Sequence, residues 1–218
     1  MPSSLGDIPP DSCFGSIFEE KMANEIGKLS KLITYVSRSL ELENVLADLP
    51  DETIPDDFLG PPDDRAFRMV SILNTANAYI SSLSPENSLN IRLFVVRYFP
   101  RFLMRYQALR FPQILDNVSS SLPTKSDLSR FPEVVNETGL FLPVSAILRL
   151  IAVSLIDEES KEELIRAGNV KAIVSHMVDD PLNPFQRECA IFVIKVFTTG
   201  FERGQAAIGE FMGSGYRS

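Results

Sequence analysis

Between Ile91 and Phe111 the sequence reads IRLFVVRYFPRFLMRYQALRF, a dense set of side chains able to bind a charged or aromatic ligand. Arg97, Arg101 and Arg105 recur at every fourth position, flanked by Arg92 and Arg110, and Phe94, Tyr98, Phe102 and Tyr106 run beside them at the same spacing. On a helix that spacing draws a basic stripe beside an aromatic one, provided the helix runs on through Pro100, which removes an N–H and is expected to kink or split it. Arginine pairs with phosphates and aromatic rings stack on bases, so the ridge would suit an acidic peptide, a phosphorylated ligand or a single nucleic-acid strand. The structural use of the same residues puts the rings in a core and the arginines on its solvated border, paired with the acids between Asp48 and Asp64. Aromatic stripes at helical spacing usually pack, and this structural use is the one expected.

Other reactive constellations are thin. His176 is the single histidine, with Cys13 and Cys189 the two cysteines, which falls short of a zinc ligand set and leaves His176 as the one possible base for a nucleophile. Cys189 lies in an apolar run and reads as a small packed hydrophobe. The pairs Asp56-Asp57, Asp63-Asp64 and Asp179-Asp180 sit beside prolines in turns without the spacing of a calcium loop. A glycine-rich phosphate loop is missing too, since GSGYRS has no helix after it to present its amides. The expectation is therefore no enzyme, with no catalytic, cofactor-binding or metal-ligating residue. The candidate partner-binding surface is Arg97, Arg101, Arg105, His176 and Lys195.

The bulk numbers agree with a soluble globular chain: 44% of the 218 residues are apolar and 23% charged. The net charge of −8 is local, because seven acids (Asp48, Asp51, Glu52, Asp56, Asp57, Asp63, Asp64) share one segment free of Lys and Arg. That balance argues against nucleic acid as a partner. Two distant cysteines argue for a reducing compartment, and MPSSLGDIPPDS lacks the basic and apolar regions of a secretory signal. No stretch is apolar enough to span a bilayer, so a cytoplasmic location and no membrane partner are expected.

The elements that must position these residues are helices throughout. Ile26, Leu29, Ile33, Val36 and Leu40 form one helical face in residues 1–49, a helix that runs whole or breaks near Gly27. Residues 50–64, with prolines at 50, 55, 61 and 62, read as an acidic linker or loop. Helical spacing fills 65–118, where Ser84-Pro85-Glu86 opens the arginine-rich helix, and a polar loop follows at 119–139. In 140–212 an apolar helix runs from about Val144 to Ile156, and Asp157 caps the next, which Gly168 ends. Asn169 caps a helix through Val178, and Asn183 with Gln186 forms a capping box that opens a helix ending at Gly200.

Two segments of this last region match in kind 43 residues apart: Leu148/Ile191, Ile151/Ile194, Val153/Val196 and Ile165/Ile208. A period of roughly 40 to 47 residues belongs to armadillo and HEAT units, which stack because one unit cannot bury its own apolar face. LIRAGNVKAIV is similar to the armadillo element in which a helix ends at glycine and the next lines the groove. NPFQRECAIFVIKVF with ERGQAAI resembles the C-terminal domain of the ataxin-10 family, over residues 144–211. The resemblance implies a right-handed, armadillo-like α-solenoid, an all-α stack of helical repeats. It also implies a non-enzymatic cytoplasmic adaptor with protein partners, linked to signalling or cell division. Val153 and Val196 stand where armadillo repeats carry a groove-facing Asn, so an asparagine ladder for peptides is not expected. The helix from Pro184 to Thr199, apolar on most sides, is expected to be enclosed, and Asp at Ile191 or Ile194 to unfold it. The alternative function is a regulatory or enzymatic domain that binds a phosphorylated or nucleotide ligand through residues 92–110.

Overall fold

The computed structural model describes residues 12–39, 54, 58–60, 65–117, 143–177 and 184–214, with side chains described for 19–38, 54, 58–60, 67–104, 143–177 and 185–211. Among them are eight α-helices and no strand, as the three-four spacing predicts. The polar loop at 119–139, the acids between Asp48 and Asp64, and Asn183 lie outside the described residues.

Helix α1 (Ser12–Ser39) runs unbroken through Gly27 and buries Leu29, Leu32, Ile33 and Val36 against α2 (Arg65–Ser82) and α3 (Pro85–Asn117). Ile54 and Leu59, from the proline-rich segment between α1 and α2, are buried as well, so that segment contributes to the core. Ser84 opens α3 as its residue type predicts, its Oγ accepting the Asn87 N–H at 3.4 Å. Helix α3 continues past Pro100, and it buries Ile91, Val95, Val96, Phe99, Phe102 and Leu103 along one face.

Helix α4 (Val144–Ser154) holds the centre, packed on α2 and α3 to one side and on α7 (Pro184–Thr198) to the other. Neighbours on both sides leave only Arg149 exposed, while Ile147, Leu148, Leu150 and Ile151 are almost wholly buried. Truncating one of these leucines or isoleucines to alanine would cost about 2–5 kcal/mol, since a helix hemmed in on both sides cannot collapse into the hole.

Local rules set the ends that follow. The Asp157 Oδ1 accepts the Ser160 N–H at 2.8 Å and starts α5 (Glu158–Arg166). Gly168 stops it at φ +68°, where its N–H and that of Asn169 return to the Ile165 and Leu164 carbonyls at 2.9 and 3.1 Å. The short α6 (Val170–Val174) passes into a 3₁₀ turn at Ser175–Met177. Gly200, at φ +64°, separates α7 from α8 (Glu202–Ser214). Gly204 brings α8 close to the end of α7: a Cβ there would fall 2.6 Å from the Phe201 ring and 3.1 Å from the Phe197 carbonyl oxygen.

The expectation that the helix from Pro184 is enclosed is corrected. Helix α7 has α4, α6 with its 3₁₀ turn, and α8 as neighbours, and these cover one side of it. Ala190, Val193 and Phe197 are buried there, whereas Phe185, Ile191 and Phe192 are exposed on the other. The enclosed helix is α4.

Candidate functional site

The arginines of α3 meet polar groups from the C-terminal half, and together they form a seam between α3 and the α5–α6 segment. Asp157, Glu163, Asn169 and His176 follow one another at six- or seven-residue spacing and reach three successive levels of α3, with Glu163 and Asn169 sharing the middle one.

At the first level, Arg92 is 1% exposed and its guanidinium donates to the Asp157 carboxylate and to the Ser88 hydroxyl. Its Nε lies 3.5 Å from the Ser160 Oγ, whose hydroxyl donates to Asp157 Oδ2 at 3.2 Å. Asp157 thus caps α5 and neutralises the buried arginine at once. A charge that deep is stable only with such pairing.

One turn on, Glu163 is buried at 3% exposure and bridges two arginines. Arg97 Nε donates to its Oε1 at 2.6 Å and Arg166 to its Oε2 at 2.7 Å. The Glu163 hydrogen bond raises the Arg97 pKa above the ordinary guanidinium value, with burial working against it. At the same level the Asn169 amide donates to the Val96 and Arg97 carbonyls at 2.8 and 2.9 Å. Asn169 stands at the start of α6 as expected, yet its side chain makes no cap there.

At the last level His176 is buried, at 2% exposure, with Nε2 3.2 Å from the Leu103 carbonyl and Nδ1 against the Gln186 amide. A carbonyl only accepts, so Nε2 carries the proton and Nδ1 accepts from Gln186. Gln186, read from sequence as half of a capping box, fastens α7 to the seam.

The five residues singled out as a partner surface take different places. Arg97 is half exposed but held by Glu163, and Arg101 lies with its guanidinium 5.7 Å from the Tyr98 ring centroid. Arg105 lies on α3, its side chain outside those described. His176 is interior, because the Leu103 carbonyl and Gln186 draw its imidazole inward. Lys195 is exposed. Arg92, expected on a solvated border, is core; it pairs with Asp157 and Arg97 with Glu163, while the acids of the proline-rich segment lie outside the described residues.

A phosphorylated or nucleotide ligand that used Arg97 or Arg92 would have to displace Glu163 from the one or Asp157 from the other. Ser160 engages Asp157 and Arg92, while His176 engages Leu103 and Gln186. Among the described residues no group of three His, Cys, Asp or Glu side chains is placed to hold a metal, and no helix is long and apolar enough to cross a membrane.

The surface the sequence reading missed is the outer side of α7. Phe185, Ile191 and Phe192 are 55%, 44% and 53% exposed, with exposed Glu188 and Lys195 on the same side. Single exposed apolar residues are ordinary, but three large ones on one helical face form a patch of the kind that binds another surface. The spacing of Glu188 and Lys195 within the apolar run was the available signal, as both fall on the Phe185–Phe192 side of a helical projection. No protein-family model matches the chain, and neither a curated protein nor a solved structure matches it.

Proposed function

We propose that this chain is a non-enzymatic helical scaffold of armadillo-like build, acting as an adaptor that holds other proteins. The observation that carries the binding role is the apolar outer face of α7, which a protein with no partner would keep polar. Packing of the two segments that match at a 43-residue offset supports the repeat. Helix α4 packs on α7 and α5 touches α8, the pairing expected when like units stack. The likeness of residues 144–211 to the ataxin-10 family points the same way, toward a cytoplasmic adaptor with protein partners.

The test is chemical cross-linking and affinity capture in cells with the native chain and with a Phe185→Ser/Phe192→Ser variant. Both positions are exposed, so the variant should melt within a few degrees of the native chain while losing most captured proteins. An unchanged set of captured proteins would reject the α7 face as the binding surface.

A further inference from the structure

The outer face of α7 carries its charges in a pattern that identifies an occupant. Glu188 stands three positions before Ile191, and Lys195 three positions after Phe192. The midpoint of the apolar pair is therefore also the midpoint between an acid and a base, each about 5 Å along the helix axis from it. All four side chains are exposed on one side of the helix, and among the described residues neither Glu188 nor Lys195 has an ion-pair partner within the chain.

Reasoning from the α7 face as a docking surface, we infer that its occupant is the same face of a second copy, docked antiparallel about a two-fold axis passing between Ile191 and Phe192. Under that symmetry the heights along the helix reverse while each flank of the face stays on its own side. Successive residues lie about 100° apart, so Ile191 of one copy lies beside Ile191 of the other on one flank and Phe192 beside Phe192 on the other, while Glu188 and Lys195, near the middle of the face, lie opposite each other twice over. Two apolar pairs at the centre are flanked by two ion pairs, the arrangement of a self-complementary isologous contact. A parallel arrangement would instead set Glu188 against Glu188 and Lys195 against Lys195, which like-charge repulsion disfavours. One helix face buries little area, so the association is weak and reversible, appearing in the micromolar range or above.

Sedimentation equilibrium of the full chain across that range tests the inference. The native chain should show a monomer–dimer equilibrium. Glu188→Lys and Lys195→Glu, each alone, should weaken it about tenfold, because each turns both ion pairs into repulsive pairs. An equimolar mixture of the two variants should regain the native dimer as a heterodimer, and the chain carrying both reversals should regain it as a homodimer. Thermal melts of both variants should match the native chain, as the positions are exposed.

A native chain that stays monomeric at the highest concentration overturns the inference, as does a dimer indifferent to both reversals or a mixture that fails to restore association. If self-association fails while Phe185→Ser/Phe192→Ser still loses its captured proteins, the docking surface stands and only its occupant is wrong.

Discussion

Asn169 supplies to α3 the hydrogen bond that Pro100 takes away. In an unbroken helix the Val96 carbonyl would accept the N–H of residue 100, and proline has none. The Asn169 amide fills the gap at 2.8 Å and also donates to the Arg97 carbonyl at 2.9 Å, from 73 and 72 residues further along the chain. Asn169→Ala should cost about 1–3 kcal/mol in urea unfolding, the penalty for leaving a buried carbonyl without a donor. In a Pro100→Ala background residue 100 again offers an N–H, so the same substitution should cost about 1 kcal/mol less. Equal costs in the two backgrounds would show that Asn169 does not stand in for the missing donor.

The Arg92–Asp157 pair should respond unequally to loss of its two members. Asp157→Ala strands a guanidinium that is 1% exposed and removes the α5 cap, for a cost of about 3–5 kcal/mol. Arg92→Met leaves an aspartate side chain that is 26% exposed and able to hydrate, with the new side chain filling the space of the old stem. Its cost should be about 1–2 kcal/mol, since removal of the buried partner is the gentler change. Denaturant midpoints measured for both variants decide the order, and the reverse order would refute the argument from burial.

His176 should carry its proton on Nε2, because the Leu103 carbonyl can only accept and the Gln186 amide can donate to Nδ1. As the only histidine it can be observed directly by long-range proton–nitrogen NMR. Gln186→Leu should keep that tautomer while costing about 1–2 kcal/mol for the lost Gln186–His176 hydrogen bond. A proton on Nδ1 in the native chain would reverse the donor and acceptor roles derived for this level of the seam.

Helix ends were legible because their causes are local. Asp157 caps the residues immediately after it, and Gly168 and Gly200 take the left-handed conformation where the helical pattern stops. The seam was not legible, since Arg92 finds Asp157 65 residues away and His176 finds Leu103 73 residues away, and no spacing rule reaches that far. The same limit explains why α7 was expected to be enclosed. Both α4 and α7 carry apolar residues on most sides, and only the positions of α2 and α3 decide that Leu148 is buried while Ile191 is 44% exposed. The partner-surface residues on α3 and at His176 were chosen for their chemistry, and much of that chemistry is spent inside the fold.

Replacements along α7 should therefore split by face. Ile191→Asp should change stability by about 1 kcal/mol or less, the combined effect of helix propensity and surface exposure. Val193→Asp, two residues on and fully buried, should prevent cooperative folding, because it forces an unpaired carboxylate into the contact with α4. Circular dichroism melts of the two variants make the comparison. An unfolded Ile191→Asp chain would restore the enclosed-helix expectation.

Cys189 should make stability fall at alkaline pH. Burial pushes its thiol pKa up, with Glu188 adding to the rise and Arg149 and the Ser145 hydrogen bond opposing it. A raised pKa means that the folded chain holds the proton more tightly than the unfolded one. The resulting stabilisation is fully present below the unfolded thiol pKa of about 8.5 and is lost as pH climbs through the higher folded value. Tyr79, raised by its own burial and by Glu25, acts with the same sign at higher pH. The native chain should accordingly lose unfolding free energy as pH rises above about 8.5, more steeply than Cys189→Ala, which has no thiol to ionise. The stability difference between the two, set near neutrality by lost packing, should narrow as pH rises. Unfolding curves that stay parallel across this range would show that Cys189 ionises equally in both states.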